Sequence, residues 1–221
     1  LSLAANQNHP YAQFNLGLIY NNGKYIKRDI NKAIHYYLLA ANQNHPDAQI
    51  NLGVIYHKGE YVARNIEKAI HYLSLAANQN HPKAQYYFGE IYYKGEYIER
   101  DIYKSIHYLS LAASQNHPEA QYYLGEIYYT GEYVTRNISK AIHYLSLTSN
   151  QNHPNAQFIL GEIYHKGEYV ARNIEKAIHY YSLAANQNHS HAQNNLGVIY
   201  MEGKYVTRNI EKAIHYLSLA A

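Results

Sequence analysis

The 221-residue chain contains no cysteine, so it can form neither disulfide bonds nor thiolate metal sites. This absence leaves the compartment open between the cytoplasm, which we favour, and the lumen of the endoplasmic reticulum. No apolar run approaches the roughly 20 residues that span a bilayer, and we therefore expect no membrane insertion. Charged residues make up only 16% of the chain, and the net charge of +3 is too small to indicate nucleic acid as a partner.

Tyrosine is abundant, with 28 copies, and it recurs within an internal repeat. The tetrad NQNH, which reads SQNH at residues 114–117, places a histidine every 36 residues, at His9, His45, His81, His117, His153 and His189. Such a period is typical of stacked repeat units. The sequence therefore predicts one repeat domain over 1–221, in which 1–7 form the end of a preceding repeat. The repeats are 8–43, 44–79, 80–115, 116–151, 152–187 and a truncated 188–221.

Each repeat contains two helical patterns, which we call helix A and helix B. The apolar stripe of the first helix A has helical spacing and consists of Ala12, Leu16, Ile19 and Tyr20. Pro10 suits the first position of this helix, and Gly23 suits its end. Asp29 and its counterparts are strong N-caps for helix B, and Asn44 suits a left-handed residue between repeats. Because such short helix pairs bury their apolar faces only by stacking, we predict an all-α, right-handed α/α superhelical solenoid of 36-residue helix-turn-helix repeats.

The second repeat reads AQINLGVIYHKGEYVARNIEKAIHYLSLAANQNH, and it resembles the Sel1-like repeat, an α/α solenoid unit related to tetratricopeptide repeats. Two departures recur: tyrosine (Tyr61) stands at the second loop glycine, and Asn-His replaces the closing Gly-His. The resemblance covers essentially the whole chain. It implies a scaffold that binds other proteins, with helix A lining the concave surface, and it implies no particular ligand.

The repeats differ from one another mainly on one side of helix A. Positions equivalent to 11, 14, 15, 18, 21 and 22 vary and form a face about 120° wide, which we call the variable face. The sequence indicates that the fold does not require this face, whereas Tyr92, on the opposite side, should lie in the core. Tyrosines and glutamates concentrate on the variable face in the central repeats, and tyrosine is enriched at interaction hot spots.

We therefore predict that a protein or peptide binds the variable face. The candidate residues are Asn15, Asn51, Tyr86, Tyr87, Glu90, Tyr93, Tyr122, Tyr123, Glu126, Tyr129, Glu162, His165 and Asn195. The aligned glutamates favour a partner with a basic segment, and the asparagines could bind a peptide backbone. An equally weighted alternative for Tyr86, Tyr122 and the other residues at their position is packing between adjacent A helices.

The fifteen histidines do not form a metal-binding pattern. Each series occurs once per repeat, and helices 8–10 Å apart are too distant to share one ion. The sequons at Asn137 and Asn188 are expected by chance, and both asparagines have local capping roles. No phosphate loop, nucleophile motif or paired-carboxylate site is present, so we predict no catalysis, no cofactor and no small-molecule substrate. The alternative to an adaptor is a structural spacer or a rod that self-associates end to end.

Overall fold

The computed structural model describes residues 8–96 and 98–221. The predicted residues 1–7 of a preceding repeat, and Tyr97, lie outside this part. The described residues form twelve helices and no strand, which confirms the all-α prediction. In chain order, α1 to α12 are Pro10–Asn22, Ile30–Ala41, Pro46–Lys58, Ile66–Asn78, Pro82–Lys94, Ile102–Ser114, Pro118–Thr130, Ile138–Ser149, Pro154–Lys166, Ile174–Ala185, Ser190–Glu202 and Ile210–Ala220.

The helices fall into two compact units, Leu1–His117 with α1 to α6 and Pro118–Ala221 with α7 to α12. Odd-numbered helices are A helices and even-numbered helices are B helices. Within each unit, every A helix packs against the B helix that follows it, and that B helix packs against the next A helix of the unit. None of the described helices is long and apolar enough to cross a membrane.

The predicted helix ends are confirmed. Pro10 occupies the first turn of α1, and Gly23 ends it with a left-handed φ of 66°. The Asp29 carboxylate accepts a hydrogen bond from the Lys32 backbone N–H at 3.0 Å, which satisfies a donor that the helix leaves unpaired. Asn44 has a φ of 60°, and the asparagines at its position in the other repeats have similar values.

Small residues allow the helices of each pair to approach closely. A Cβ atom added to Gly53 on α3 would lie only 2.6 Å from Cγ of Leu73 on α4. Ala69 and Ala76 on the same B helix are fully buried, as is Leu52 on α3. In the core of this helix pair, alanine and glycine therefore let the two helix backbones approach closely, and the Leu73 side chain packs directly against the backbone of the A helix.

The core position of Tyr92 was predicted wrongly. Its ring is half-buried at the edge of the core, in edge contact with Phe88 at 5.1 Å between ring centroids. The ammonium of Lys104 lies 5.1 Å from the Tyr92 ring centroid, where a cation is attracted to the aromatic face. Tyr92 lies at the last turn of α5, beside the exposed first turn of α6, and this position leaves one side of its ring at the surface.

Candidate functional site

The predicted partner-binding residues lie on A helices in both units. In the first unit, α1 carries Asn15, α3 carries Asn51, and α5 carries Tyr86, Tyr87, Glu90 and Tyr93. In the second unit, α7 carries Tyr122, Tyr123, Glu126 and Tyr129, α9 carries Glu162 and His165, and α11 carries Asn195. Asn15 is exposed, Glu90 is buried, and the other eleven side chains are half-buried. The variable face is therefore partly engaged in packing.

A groove separates the C-terminal halves of α3 and α5 in the first unit and has a volume of about 450 Å³. Its lining consists of His57, Lys58, Glu60, Arg64, Tyr86, Tyr87, Glu90, Lys94 and Glu96. The tyrosines and Glu90 were predicted from the variable face. Glu60, Arg64 and Glu96 were missed because they follow the A helices in the chain, outside the helical pattern from which the face was derived.

Glu90 forms an ion pair within its own helix, with its carboxylate 2.8 Å from the Lys94 ammonium. Only 8% of Glu90 is exposed, so Lys94 compensates a carboxylate that is largely removed from water. Burial, together with the nearby Glu90 carboxylate, raises the pKa of Tyr87, which therefore remains a neutral hydrogen-bonding phenol.

The second unit contains the same type of ion pair, between Glu162 and Lys166 at 3.0 Å. Burial and the Glu162 carboxylate raise the pKa of Tyr129, whereas Lys166 lowers it in part. Tyr129 on α7 and the two charged residues on α9 therefore form one cluster across neighbouring A helices. A cavity of about 330 Å³ lies beside this cluster, lined by Tyr129, Thr130, Arg136, Lys166, Glu168 and Tyr169.

Glu126 differs from Glu90 and Glu162 because Thr130 stands where a lysine would pair with it. Among the described residues it has no ion-pair partner, and its carboxylate accepts a hydrogen bond from the Tyr122 hydroxyl at 3.4 Å. Burial raises the pKa of Glu126, while this hydrogen bond lowers it in part. Of the three aligned glutamates, Glu126 is thus the one without an internal countercharge.

The aromatic residues at the position of Tyr86 stack on histidines at the repeat junctions. Tyr86 lies 4.7 Å from His117 between ring centroids, and Tyr122 lies 4.5 Å from His153, with the rings within about 20° of parallel. Ile50, at the same position in the second repeat, is only 1% exposed. These contacts favour the packing interpretation for this position, although Tyr86 also lines the α3–α5 groove.

Asn51 and Asn195 lie beside buried tyrosines of the preceding B helices. Asn51, with Asn21, approaches the hydroxyl of Tyr37, a fully buried residue whose pKa is raised to about 12 by burial. Asn195 similarly approaches the hydroxyl of Tyr181, whose pKa is also raised by burial. The sequence analysis missed this relationship. It could be found by comparing, repeat by repeat, the residue at the position of Tyr37 in the B helix with the residue at the position of Asn51 in the next A helix.

Buried glutamines form a second set of contacts that the sequence interpretation missed. Gln49 is fully buried, accepts a hydrogen bond from Gln79 at 2.8 Å and donates one to the Ala41 carbonyl at 3.3 Å. Gln85 and Gln115 repeat the first contact at 2.8 Å. The available signal was that both glutamines recur unchanged in each complete repeat, although neither belongs to an apolar stripe.

The loop tyrosines that replace the family glycine pack on arginines of the preceding repeat. The Arg28 guanidinium donates to the Tyr61 hydroxyl at 2.8 Å and lies 4.1 Å from the ring centroid. Arg136 and Tyr169 form the same pair in the second unit. Tyr61 does not have a positive φ, so its backbone does not require glycine. These arginines are therefore engaged in packing between neighbouring repeats.

The junction histidines have structural contacts in the described residues. Nδ1 of His153 accepts the Ala156 backbone N–H at 3.3 Å and caps α9. His45 is buried against Phe14 and Tyr11, at 4.6 and 4.7 Å between ring centroids. No group of three or more histidine, aspartate or glutamate side chains could hold a metal ion in the described part of the chain.

Comparison with solved structures gives several similar chains. A Sel1 repeat protein from Oxalobacter formigenes is 33% identical with a TM-score of 0.83, and the match covers 96% of this chain and 61% of that chain. The protective antigen c5321 of uropathogenic Escherichia coli, which has an SLR fold, is 28% identical with a TM-score of 0.58, covering 98% and 54%. The immunity protein Pa5087 of Pseudomonas aeruginosa shares the fold at 22% identity, with a TM-score of 0.54 and coverage of 96% and 80%.

The chain thus spans about three-fifths of the Oxalobacter protein and about half of the E. coli antigen. No curated protein sequence gives a significant match. The Sel1 repeat profile matches six consecutive segments, 10–45, 46–81, 82–117, 118–153, 154–189 and 190–221. These segments have the predicted period, with a starting point two residues later in each repeat. The helix pairs, the six matches and the similar structures together show that the chain is an α-helical solenoid that belongs to the Sel1 repeat family.

Proposed function

We propose that this chain is a non-catalytic adaptor that binds a peptide or loop of a partner protein on the variable face of its A helices. Sel1 repeat proteins generally mediate protein–protein interactions, and the family is generally non-catalytic. The observation that carries the proposal is the α3–α5 groove, where half-buried tyrosines are surrounded by charges of both signs. Tyrosine offers a large apolar surface and a hydroxyl at low entropic cost, which suits this role.

The charge distribution supports a partner segment that carries lysine or arginine. Lys94 and Lys166 already neutralise Glu90 and Glu162, so these two carboxylates offer little additional attraction. Glu126 has no such countercharge and lies beside the Tyr122 ring. A cationic side chain there would gain a charge-assisted hydrogen bond and contact with an aromatic ring. We therefore assign the basic-segment preference to Glu126 rather than to all three glutamates.

The partner's main chain is the second element of the proposal. Asn15, Asn51 and Asn195 carry amides that can both donate and accept hydrogen bonds. Asn15 is exposed, whereas Asn51 and Asn195 are half-buried. An extended peptide presents unpaired backbone N–H and C=O groups, and these asparagines would satisfy some of them.

Site-specific photocrosslinking tests where a partner binds. A benzoylphenylalanine replaces Tyr93 or Tyr129 on the variable face, and Tyr25 or Tyr103 serves as a control because these two side chains are 78% and 77% exposed. The adaptor hypothesis predicts crosslinks to the same partner from positions 93 and 129 and none from the controls. Equal crosslinking from all four positions would contradict a specific face, and crosslinks only to a second copy of the chain would support a self-associating rod.

The Glu126→Lys variant tests the charge preference with the same assay. It should reduce crosslinking of the captured partner severalfold, because like charges repel, whereas Glu126→Gln should have a smaller effect. Circular dichroism of both variants serves as the control for folding. Unchanged capture by Glu126→Lys would rule out the basic segment while leaving the tyrosine face intact.

A further inference from the structure

We propose that Asn21, Arg28 and Lys58 form a subsite that binds a side-chain carboxylate of the partner, from an aspartate or a glutamate. This inference rests on the proposed function and deepens it, because it names the chemistry of one side chain in the segment that occupies the neighbouring α3–α5 groove. It concerns the first unit and is separate from the preference for a cationic side chain that we assign to Glu126. It also adds Arg28, which precedes α2, to a site that the sequence places only on the A helices.

A small cavity of about 140 Å³ lies between the C-terminal halves of α1 and α3. Asn21, Arg28 and Lys58 all line it. Lys58 and Glu60 line both this cavity and the α3–α5 groove, so the two spaces share one wall. The cavity is smaller than the roughly 300–1,000 Å³ of pockets that hold drug-sized ligands, and its size suits one side chain of a segment that lies in the groove.

Arg28 is exposed and forms no ion pair among the described residues. Its guanidinium donates from Nη1 to the Tyr61 hydroxyl at 2.8 Å and lies 4.1 Å from the centroid of that ring, and both of these groups are neutral. The adjacent Asp29 pairs with Lys32 at 3.6 Å instead. The positive charge of Arg28 therefore remains available to an anionic ligand.

A comparison with the equivalent arginines shows what distinguishes Arg28. In the second to fifth repeats, these arginines donate from Nη2 to the carbonyl of the last residue of their A helix; they are Arg64, Arg100, Arg136 and Arg172. Arg28 makes no such bond to Asn22 in the described structure, so its Nε and Nη2 donors stay open on one edge of the guanidinium. Two parallel N–H groups on one edge match the two oxygens of a carboxylate.

Lys58 supplies a second cation, and its internal ion pair is weak. Its ammonium lies 3.7 Å from the Glu60 carboxylate, and the two side chains are 55% and 54% exposed. Exposed ion pairs of this kind contribute little to stability, so Lys58 can turn toward a second carboxylate at small cost. Arg28, Lys58 and Glu60 leave the lining with an excess of one positive charge, which favours an anionic ligand.

Apolar side chains and an amide complete the lining. Val54 and Ile55 of α3 are half-buried and can contact the methylene groups of an aspartate or glutamate side chain. Asn21 of α1 is also half-buried, and its carboxamide can donate a further hydrogen bond. These groups favour a carboxylate on an aliphatic stem over a free inorganic anion, which has no apolar part.

A titration of the isotope-labelled protein with N-acetyl-glycyl-glutamyl-glycinamide tests the subsite directly. This probe carries one side-chain carboxylate and no terminal charge. We expect saturable shifts of the Arg28 Nε–H and Asn21 side-chain amide resonances. The glutaminyl analogue has the same shape without the charge, and it should bind about tenfold more weakly because it loses the charge-assisted hydrogen bonds.

Side-chain variants show which residues hold the carboxylate. Arg28→Gln should weaken binding of the glutamyl probe about tenfold, and Lys58→Gln should weaken it severalfold. Arg172→Gln is the matched control, because Arg172 also donates to a loop tyrosine, Tyr205, but its Nη2 already donates to the Lys166 carbonyl. It should leave the titration unchanged. Thermal unfolding checks that each variant folds, and Lys58→Gln, at an exposed residue, tests the subsite even if Arg28→Gln is destabilised.

Several results would overturn the subsite. They are equal binding of the glutamyl and glutaminyl probes, unchanged binding by both Arg28→Gln and Lys58→Gln, or an Arg172→Gln effect as large as that of Arg28→Gln. Inorganic phosphate that binds as tightly as the glutamyl probe would show a general anion site and contradict the proposal. Tighter binding of N-acetyl-triglycine, which carries only a terminal carboxylate, would contradict the assignment to a side chain. The photocrosslinking experiment is independent of these titrations, so failure of the subsite and failure of the adaptor function can be distinguished.

Discussion

The side-chain amide of Gln43 donates a hydrogen bond to Oε1 of Gln13, which lies 30 residues earlier, at a distance of 2.7 Å. The equivalent contact joins Gln79 to Gln49, and it recurs in the second unit between Gln187 and Gln157. In each case the acceptor is buried inside an A helix and the donor follows the B helix of the same repeat. These contacts fix the end of the B helix against the start of its own A helix in the first five repeats.

Replacing the buried glutamine of this contact should destabilise the protein substantially. Gln49→Ala removes two hydrogen bonds and leaves a void, so we expect the free energy of unfolding to fall by about 2–4 kcal/mol. Gln79→Ala is the comparison variant: Gln79 is exposed, so its replacement leaves no void, but it leaves Oε1 of Gln49 without its donor and should reduce the free energy of unfolding by about 1–2 kcal/mol. Urea unfolding of both variants measures the difference, and equal losses would show that burial of Gln49 contributes nothing.

Tyr37 and Asn51 should be energetically coupled. Asn51→Tyr alone places a large ring beside the buried Tyr37 and should cost about 1–3 kcal/mol through overpacking. Combining it with Tyr37→Leu recreates the Leu73–Tyr87 combination of the next repeat. The double variant should therefore lose about 1–2 kcal/mol less unfolding free energy than the two single variants lose together. Unfolding free energies of the four proteins test this, and additivity within about 0.5 kcal/mol would contradict the coupling.

Stability should fall in mild acid because of His45. The residue is 5% exposed, and neither of its ring nitrogens has a hydrogen-bond partner. Burial lowers its pKa below the ordinary 6.5, although the nearby Asp47 raises it in part. Below about pH 6.5 the unfolded chain therefore binds more protons at this residue than the folded protein does, and its contribution to stability is lost as the pH falls toward the folded pKa.

The His45→Phe variant tests this assignment, because it keeps the stack on Phe14 and removes the titrating group. Its unfolding midpoint should fall less than that of the wild type between pH 7.5 and pH 5.5, a window chosen to bracket the ordinary histidine pKa. Phe14→Leu is the control, since it disturbs the same stack and retains the histidine. A pH dependence of His45→Phe as steep as that of the wild type would assign the effect to other groups.

The asparagine caps should contribute measurably to stability. Asn173 begins α10, and its side chain accepts the Lys176 backbone N–H at 2.8 Å. Asn173→Ala should reduce the free energy of unfolding by about 1 kcal/mol, whereas Asn173→Gly should cost only a few tenths. Chemical denaturation measures both values. An alanine variant as stable as the wild type would show that this hydrogen bond is not stabilising.

The loop tyrosines should stabilise the contact between repeats. Tyr61→Gly restores the residue of the family pattern but removes the ring that packs on Arg28. The loss of this contact should lower the free energy of unfolding by about 0.5–1 kcal/mol, in addition to the effect of introducing a flexible glycine. Tyr25→Gly is the matched control, because Tyr25 occupies the same loop position and is 78% exposed. A loss for Tyr61→Gly no larger than that for Tyr25→Gly would contradict the role of the stacking contact.

The helices and their ends were predictable because they depend on local chemistry. Pro10, Gly23, Asp29 and Asn44 each satisfy a backbone requirement of their own turn. The repeat presents these signals six times, except that Ser190 replaces the proline in the last repeat. Of the candidate site, only the choice of one face of each A helix was predictable, and the contacts of its side chains were not. Helical geometry places Tyr87, Glu90 and Tyr93 on one side of α5, but it does not show that Lys94 neutralises Glu90 or that Tyr86 stacks on His117.

The sequence by itself determined the period, the twelve helices, their caps and the family, because these follow from residues close together in the chain. Only the tertiary structure decided how far each variable side chain is buried and what it contacts. Tyr37 and Asn51 belong to different repeats, and their contact depends on how α2 packs against α3. The same holds for Arg28 and Tyr61. A period reports which residues recur, whereas burial and hydrogen bonding depend on the surfaces that neighbouring helices bring together.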